Sequence, residues 1–361
     1  MTLEVIYVTR HGFRSNWLVD PSNGSYSAVI RSPTGGAADP ALTAHGVDQA
    51  RELGEWLVSA NPPIERVYSS LYYRCLQTVE PFVRKTAGSS ATPTPASGEH
   101  AANTGDGLKI RGETGIGEWY GAARFQHPVP ETLEVLETHF PGILDHEYKP
   151  YVVPNRMGEQ VDELHDRLAT ALESVIAECD RDGIRAVLLC SHAAPIIALG
   201  RALTGNMPED ISTEDFKAFT CGLSMYRRRG TERGHASPPP KRSVDATEIG
   251  GEAGTAEVGP TSASPARNAD PQIRCPNWRG GRGVSGGWDC VLNSDCSHLS
   301  AGEERGWRFS GDESFKTPTE KSILDSGELG VVVEGTGKNG SKEPEGSDSA
   351  ASKTAVGGSR L

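Results

Sequence analysis

The sequence predicts an α/β fold, a mostly parallel central sheet with helices on both faces, followed by a largely disordered C-terminal tail. Three observations predict it. Short runs rich in β-branched and aromatic residues, VIYV at 5–8, VY in IERVYSS and AVLLC at 186–190, are bounded by polar stretches and read as buried strands. Segments with apolar residues at helical spacing alternate with them, and strand-helix alternation implies crossovers that cover both faces of a parallel sheet. The third is a break in composition. Residues 1–229 carry these periodic segments, whereas 230–361 is dominated by Gly, Ser, Pro, Thr, Ala and charge, a mixture that buries too little apolar surface to offset ordering entropy.

In chain order, the first strand delivers VTRHGFR, so Thr9 to Arg14 sit at its carboxyl end, where open α/β sheets bind ligands. A polar loop, SPTGGAADPALTAHG, precedes VDQARELGEWLVS, a helix with Thr43 as its expected N-cap. IERVYSS is a second strand, and LYYRCLQTVEPFVRKT starts from it as a second helix. Residues 87–107 are of low complexity and are expected to be a mobile loop. LKIRGETGIGEWYG brings a short strand and glycine-rich turns. Residues 159–182 form a long amphipathic helix with Val161, Leu164, Leu168, Leu172, Val175 and Ile176 on one face. IRAVLLCSHAAPIIALGRALTG reads as strand, sharp turn and helix, and CGLSMYRRR as a final strand.

The net charge of −12 divides into 21 basic and 29 acidic residues in 1–229, leaving 15 and 19 in 230–361. Neither part is basic, so direct nucleic-acid binding has no electrostatic support. The seven cysteines are odd in number and include no C-x-x-C pair, which fits a reducing compartment better than a disulfide framework. No basic-then-apolar leader and no run near the roughly 20 apolar residues of a membrane span is present. The expectation is a soluble cytoplasmic or nuclear protein with no membrane partner.

Charged groups recur at one structural address. Arg10, His11 and Arg14 follow one strand, Arg74 lies in the first turn of a helix after another, and His192 follows AVLLCS. The carboxyl edge of one sheet gathers such junctions, and arginine forks with helix N-termini suit a phosphoryl group. Cys190 reads as a buried small hydrophobe rather than a nucleophile. His45 reads as part of a helix's first turn, and His127, His139, His146 and His165 as surface or packing histidines without ligand spacing.

VTRHGFR, SSLYYRCLQT, IRGETGIGEWYG and VLLCSHAAP together resemble, in order, the four blocks of the histidine phosphatase superfamily, the phosphoglycerate-mutase-like branch, over about residues 3–229. R-H-G-x-R and E-x-G-x-x-E-W look more like the UBASH3-like phosphatases and the phosphatase-like tau subunit of TFIIIC than like glycolytic mutases. The resemblance implies a 1–229 catalytic domain in which His11 is the nucleophile, Arg10, Arg14 and Arg74 bind phosphate, and His192 is the second pocket histidine. It implies no metal and no cofactor. For the proton donor to the leaving group, Glu113, four residues before Gly117 and eight before Gly121, fits the family spacing; Glu118, beside Trp119, is the alternative. Burial against Ile116 or Trp119 would raise the pKa of Glu113.

The expected function is metal-independent hydrolysis of phosphomonoesters, from a small molecule or a phosphoprotein, through phosphohistidine on His11. A scaffold or bifunctional subunit of a transcription assembly, tau-like, is one alternative. A phosphoglycerate mutase is another, disfavoured by R-H-G-F-R in place of R-H-G-E-S. Within the 230–361 tail, residues 286–315 concentrate Trp288, Trp307, Phe309 and Phe315. That motif is either a small appendage packing back on the domain or a segment that docks a protein partner.

Overall fold

A computed structural model describes residues 1–28, 30–36, 38–88, 107–230, 275–310 and 331–332. The predicted α/β class holds. Six strands form the central sheet in the order β5-β4-β6-β1-β7-β8: β1 (Val5–Arg10), β4 (Arg66–Ser69), β5 (Ile110–Gly112), β6 (Ala186–Ser191), β7 (Leu223–Arg228) and β8 (Trp288–Asp295). The first four run parallel, β7 is antiparallel to β1, and β8 is antiparallel to β7. A short hairpin, β2 (Trp17–Asp20) with β3 (Ser25–Ala28), stands apart, and β9 (Val331–Val332) pairs with β2.

Side chains alternate across a strand, and β1 shows the consequence. Ile6 and Val8 enter one core with α4 (Val161–Arg181) and α5 (Ala193–Thr204). Val5 and Tyr7 enter the other with α1 (Ala44–Val58) and α2 (Tyr73–Gly88). Both faces are therefore apolar, which explains why β1 and β6 are buried along their whole length. Thr43 caps α1 as expected, its side chain accepting from the Gly46 amide. A seven-residue helix, α3 (Leu133–His139), has no counterpart in the sequence reading.

One expectation is corrected. Residues 275–310, assigned to a disordered tail, are an ordered part of the domain: β8 extends the sheet, and Trp278, Trp288, Trp307 and Phe309 are all at most 5 % exposed in the α4–α5 core. Burying each such ring contributes roughly 2–3 kcal/mol, so of the two readings of the 286–315 motif, packing back on the domain holds over its described residues, 286–310. Of the remaining tail expectation, 231–274, 311–330 and 333–361, with Phe315, lie outside the described residues, as does 89–106 of the proposed mobile loop. Among the described residues no helix is long and apolar enough to cross a membrane.

Candidate active site

The register of the parallel strands assembles the site. Arg10 pairs with Ser191 at the ends of β1 and β6, and the His11 amide continues the ladder by donating to the Ser191 carbonyl (3.0 Å). His11 and His192 thus emerge side by side, with ring centroids 5.4 Å apart. On the other side of β6, the Ser70 amide donates to the Cys190 carbonyl, and the Ser70 hydroxyl lies 2.8 Å from His192 Nε2. The loop after β1 lies close against the start of α1. A Cβ on Gly46 would fall 2.0 Å from the Phe13 carbonyl, and one on Gly12 would fall 2.8 Å from the Gly46 carbonyl, so both positions need glycine.

Arg10, His11, Arg14, Arg74 and His192 are at most 3 % exposed, and Glu118 is 7 % exposed. His11 Nδ1 sits 2.8 Å from the Gly12 carbonyl, which can only accept; Nδ1 therefore carries the proton and Nε2 the lone pair. Burial, reinforced by Arg74, Arg14, Arg10 and His192, holds the His11 pKa well below its ordinary value, so the ring is neutral. Arg14 packs over the Trp17 ring at 3.9 Å, and Arg74 over Trp17 at 5.0 Å and Tyr72 at 4.5 Å. Burial first, then Arg74 and Arg10, push the Arg14 guanidinium below its usual range. Positive charge concentrated in so dry a place is a site for an anion.

Glu118 supplies the negative charge of the cluster. One oxygen accepts from Arg74 Nη2 (2.9 Å) and lies 3.2 Å from His192 Nδ1. Burial pushes this carboxyl up, but His192, Arg74 and Arg14 outweigh it and hold it well below the carboxylate range. Asp39 is a second acid near Arg74, at 3.5 Å, and burial raises it to about 6. His11, Glu118 and His192 offer ligand atoms within 4.8 Å of one another, a spacing a divalent ion could bridge. Three guanidinium groups beside that position oppose a cation and favour phosphate.

Glu113, preferred from spacing as the acid, is not brought into this cluster. Its amide extends the sheet by donating to Ser69, but its carboxylate turns away and accepts from the Tyr148 hydroxyl (2.6 Å) and the amides of Gly115 (2.7 Å), Tyr151 (2.9 Å) and Val152 (3.4 Å). Burial raises its pKa, as expected, with those four donors pulling the other way. A 3₁₀ turn over Thr114–Ile116 then redirects the chain, and Glu118 is the carboxylate that reaches His192.

Other expectations meet the structure simply. Cys190 is buried in the apolar core. Cys75, unnoticed in the sequence, lies 3.6 Å from His192 Nε2, with burial pushing its thiol well above the ordinary value and hence keeping it protonated. His127 and His165 are packing residues, stacked on Tyr120 and Trp278. Ser70, Trp17 and Tyr72 were also missed; only the serines ending IERVYSS gave a local signal. A cavity of about 170 Å³ opens beside the cluster, touching Ser70, Tyr72 and Glu118 and walled by Pro128, Val129, Pro130 and Val153.

The chain matches the histidine phosphatase superfamily (branch 1) over residues 6–234. It is 32 % identical over 233 residues to the transcription factor tau 55 kDa subunit of Saccharomyces cerevisiae, covering 63 % of this chain and 48 % of that protein. It is 28 % identical over 186 residues to the ecdysteroid-phosphate phosphatase of Drosophila melanogaster, covering 49 % and 21 %. The chain thus spans about half the length of the first relative and about a fifth of the second. A tungstate-bound ecdysone phosphate phosphatase structure from Bombyx mori aligns at a TM-score of 0.46 and 22 % identity, over 68 % of this chain and 97 % of that one.

Proposed function

The chain belongs to the histidine phosphatase superfamily, and we propose that it hydrolyses phosphomonoesters through a phosphohistidine on His11. The observation that carries this reading is the tautomer of His11: a neutral ring whose protonated nitrogen is tied to the Gly12 carbonyl while the other nitrogen keeps its lone pair among three arginines. In the first step the Nε2 lone pair attacks phosphorus and the bond to the leaving oxygen breaks. Arg10, Arg14 and Arg74 stabilise the equatorial oxygens, with His192 beside them. In the second step water attacks phosphorus, the N–P bond breaks, and inorganic phosphate departs.

The acid and base role falls to Glu118, not to Glu113. As the acid it gives its proton to the leaving oxygen; as a carboxylate it then takes a proton from the attacking water. Glu118 is ionised because His192, Arg74 and Arg14 attract its charge. A phosphate dianion competes for those same cations, so substrate binding raises the carboxyl pKa and draws in the proton that the leaving group needs. Glu118 also borders the apolar-walled cavity, which supports a leaving group seated on that side.

A second reading, a subunit of a nuclear transcription assembly, is supported by the likeness to the tau 55 kDa subunit. It is compatible with the first, since a scaffold alone does not require an unprotonated His11 nitrogen among three buried arginines. Two measurements separate them. His11→Ala should abolish turnover of p-nitrophenyl phosphate while the circular dichroism spectrum is unchanged, because His11 follows the last residue of β1 and belongs to neither apolar core. A wild-type chain that is inert toward phosphomonoesters but co-purifies with a large complex would leave the scaffold reading alone.

A further inference from the structure

Arg10 ends β1 with its guanidinium in the phosphate site, and two carbonyls fix that group. Nη1 donates to Ala218 at 2.7 Å and to Arg305, which lies 295 residues away in sequence and belongs to the C-terminal stretch. Arg305 has φ +50°, a conformation that non-glycine residues adopt only where the surroundings enforce it. The same residue reaches the other end of the phosphate loop. Its guanidinium stacks over the Phe13 ring at 3.9 Å, and its Nη1 lies 3.1 Å from Asn16 Oδ1 and 3.5 Å from the Arg14 carbonyl.

Glu304 works on the loop from the opposite side. Its carboxylate contacts His45 Nε2 in the first turn of α1 and accepts from Gln49 Nε2 (2.7 Å), while its carbonyl accepts from the Thr220 amide (3.1 Å). With its NH₂ group committed to Glu304 and to Thr220 Oγ1, Gln49 must present its oxygen to the loop, and that oxygen accepts from the Phe13 amide at 2.9 Å. Glu304 therefore sets which way round the Gln49 amide stands. Further along, Phe309 packs on Trp119, next to Glu118, with centroids 5.7 Å apart.

From these contacts we propose that Glu304 and Arg305 are positioning residues for the phosphate-binding loop, so that this chain's C-terminal stretch completes its active site. The inference deepens the phosphatase reading and rests on it for the role of the loop. Neither side chain contacts His11, Glu118 or His192; both act through Arg10, Gln49, Phe13 and Arg14. Holding the Arg10 guanidinium and the Phe13 amide in place before an anion arrives removes an ordering cost from phosphate binding, and its loss is felt mainly in affinity.

The test uses the full chain and reads inorganic phosphate affinity by calorimetry alongside kcat and KM for p-nitrophenyl phosphate. Glu304→Ala should raise the phosphate Kd and the KM by tenfold or more, with a smaller fall in kcat. Glu304→Gln keeps an oxygen for Gln49 and should recover to within threefold of wild type. Arg305→Gly tolerates the positive φ and keeps the carbonyl that Arg10 needs, so it isolates the guanidinium; a fivefold weaker phosphate Kd is expected, and this variant carries the test if Glu304→Ala does not fold. Wild-type phosphate affinity in folded Glu304→Ala, or in Arg305→Gly, would overturn the proposal, as would equal losses in Glu304→Ala and Glu304→Gln. A wild-type chain that binds phosphate but turns nothing over refutes the phosphatase reading, and the Kd comparison still decides this one. Absence of phosphate binding in wild type refutes both.

Discussion

The two ends of the turn at 113–118 hold glutamates in almost equally dry surroundings, 0 % and 7 % exposed, yet their partners differ in kind. Glu113 faces a tyrosine hydroxyl and three backbone amides, four neutral donors that occupy its oxygens. Glu118 faces an arginine and a histidine. Burial pushes both carboxyls up, but only at Glu118 do cations reverse the direction. Burial alone therefore does not make a catalytic acid. In the proposed mechanism, what matters is whether the charged partners can be redirected toward a substrate, and Glu113 has none to redirect.

Exchanging the proposed acid should break this comparison most sharply. Glu118→Gln should slow turnover of alkyl phosphates by about 10²–10⁴, the range for a positioned general acid, and slow p-nitrophenyl phosphate far less, because that leaving group departs without a proton. Kinetics across a series of leaving-group pKa values checks it. Glu113→Gln should show no such dependence. Its cost falls on stability, about 1–3 kcal/mol by denaturant unfolding, since an amide cannot accept from all four donors and leaves buried ones unsatisfied.

A smaller effect sharpens the contrast through pH. The folded pKa of Glu113 is raised, so its contribution is fully present below the unfolded value near 4.5 and is lost as pH rises through the folded value. That of Glu118 is lowered, so its contribution is present above 4.5 and is lost as pH falls toward the folded value. Unfolding measured across pH should accordingly flatten above about 4.5 in Glu113→Gln and below it in Glu118→Gln. The same direction of loss in both variants would show that the two carboxyls are not in opposite fields.

The sequence displays the sheet and the cationic cluster because both rest on local signals. Buried strands such as VIYV and AVLLC are continuous apolar runs, and Arg10, His11, Arg74 and His192 stand directly at the junctions that follow strands. Glu118 was harder to place because a 3₁₀ turn, Thr114–Ile116, decides which carboxylate faces the site, and residue spacing does not encode that rotation. How much of the C-terminal stretch is ordered was underestimated for another reason. Its low average hydrophobicity hides how Trp278, Trp288, Trp307 and Phe309 find their partners in α4 and α5, far earlier in the chain. Composition measures what a segment can bury by itself, and β8 is stable only as an addition to β7.

Trapping the intermediate in Glu118→Gln tests the central claim most directly. With p-nitrophenyl phosphate the first step needs no acid, whereas the second lacks the base that activates water. Labelled phosphate should therefore accumulate on the chain, stable to base and labile to acid, and map to His11; Glu113→Gln should accumulate no more than wild type, and His11→Ala combined with Glu118→Gln should take no label. Label that persists in that double variant, or that accumulates in Glu113→Gln and not in Glu118→Gln, would contradict the account.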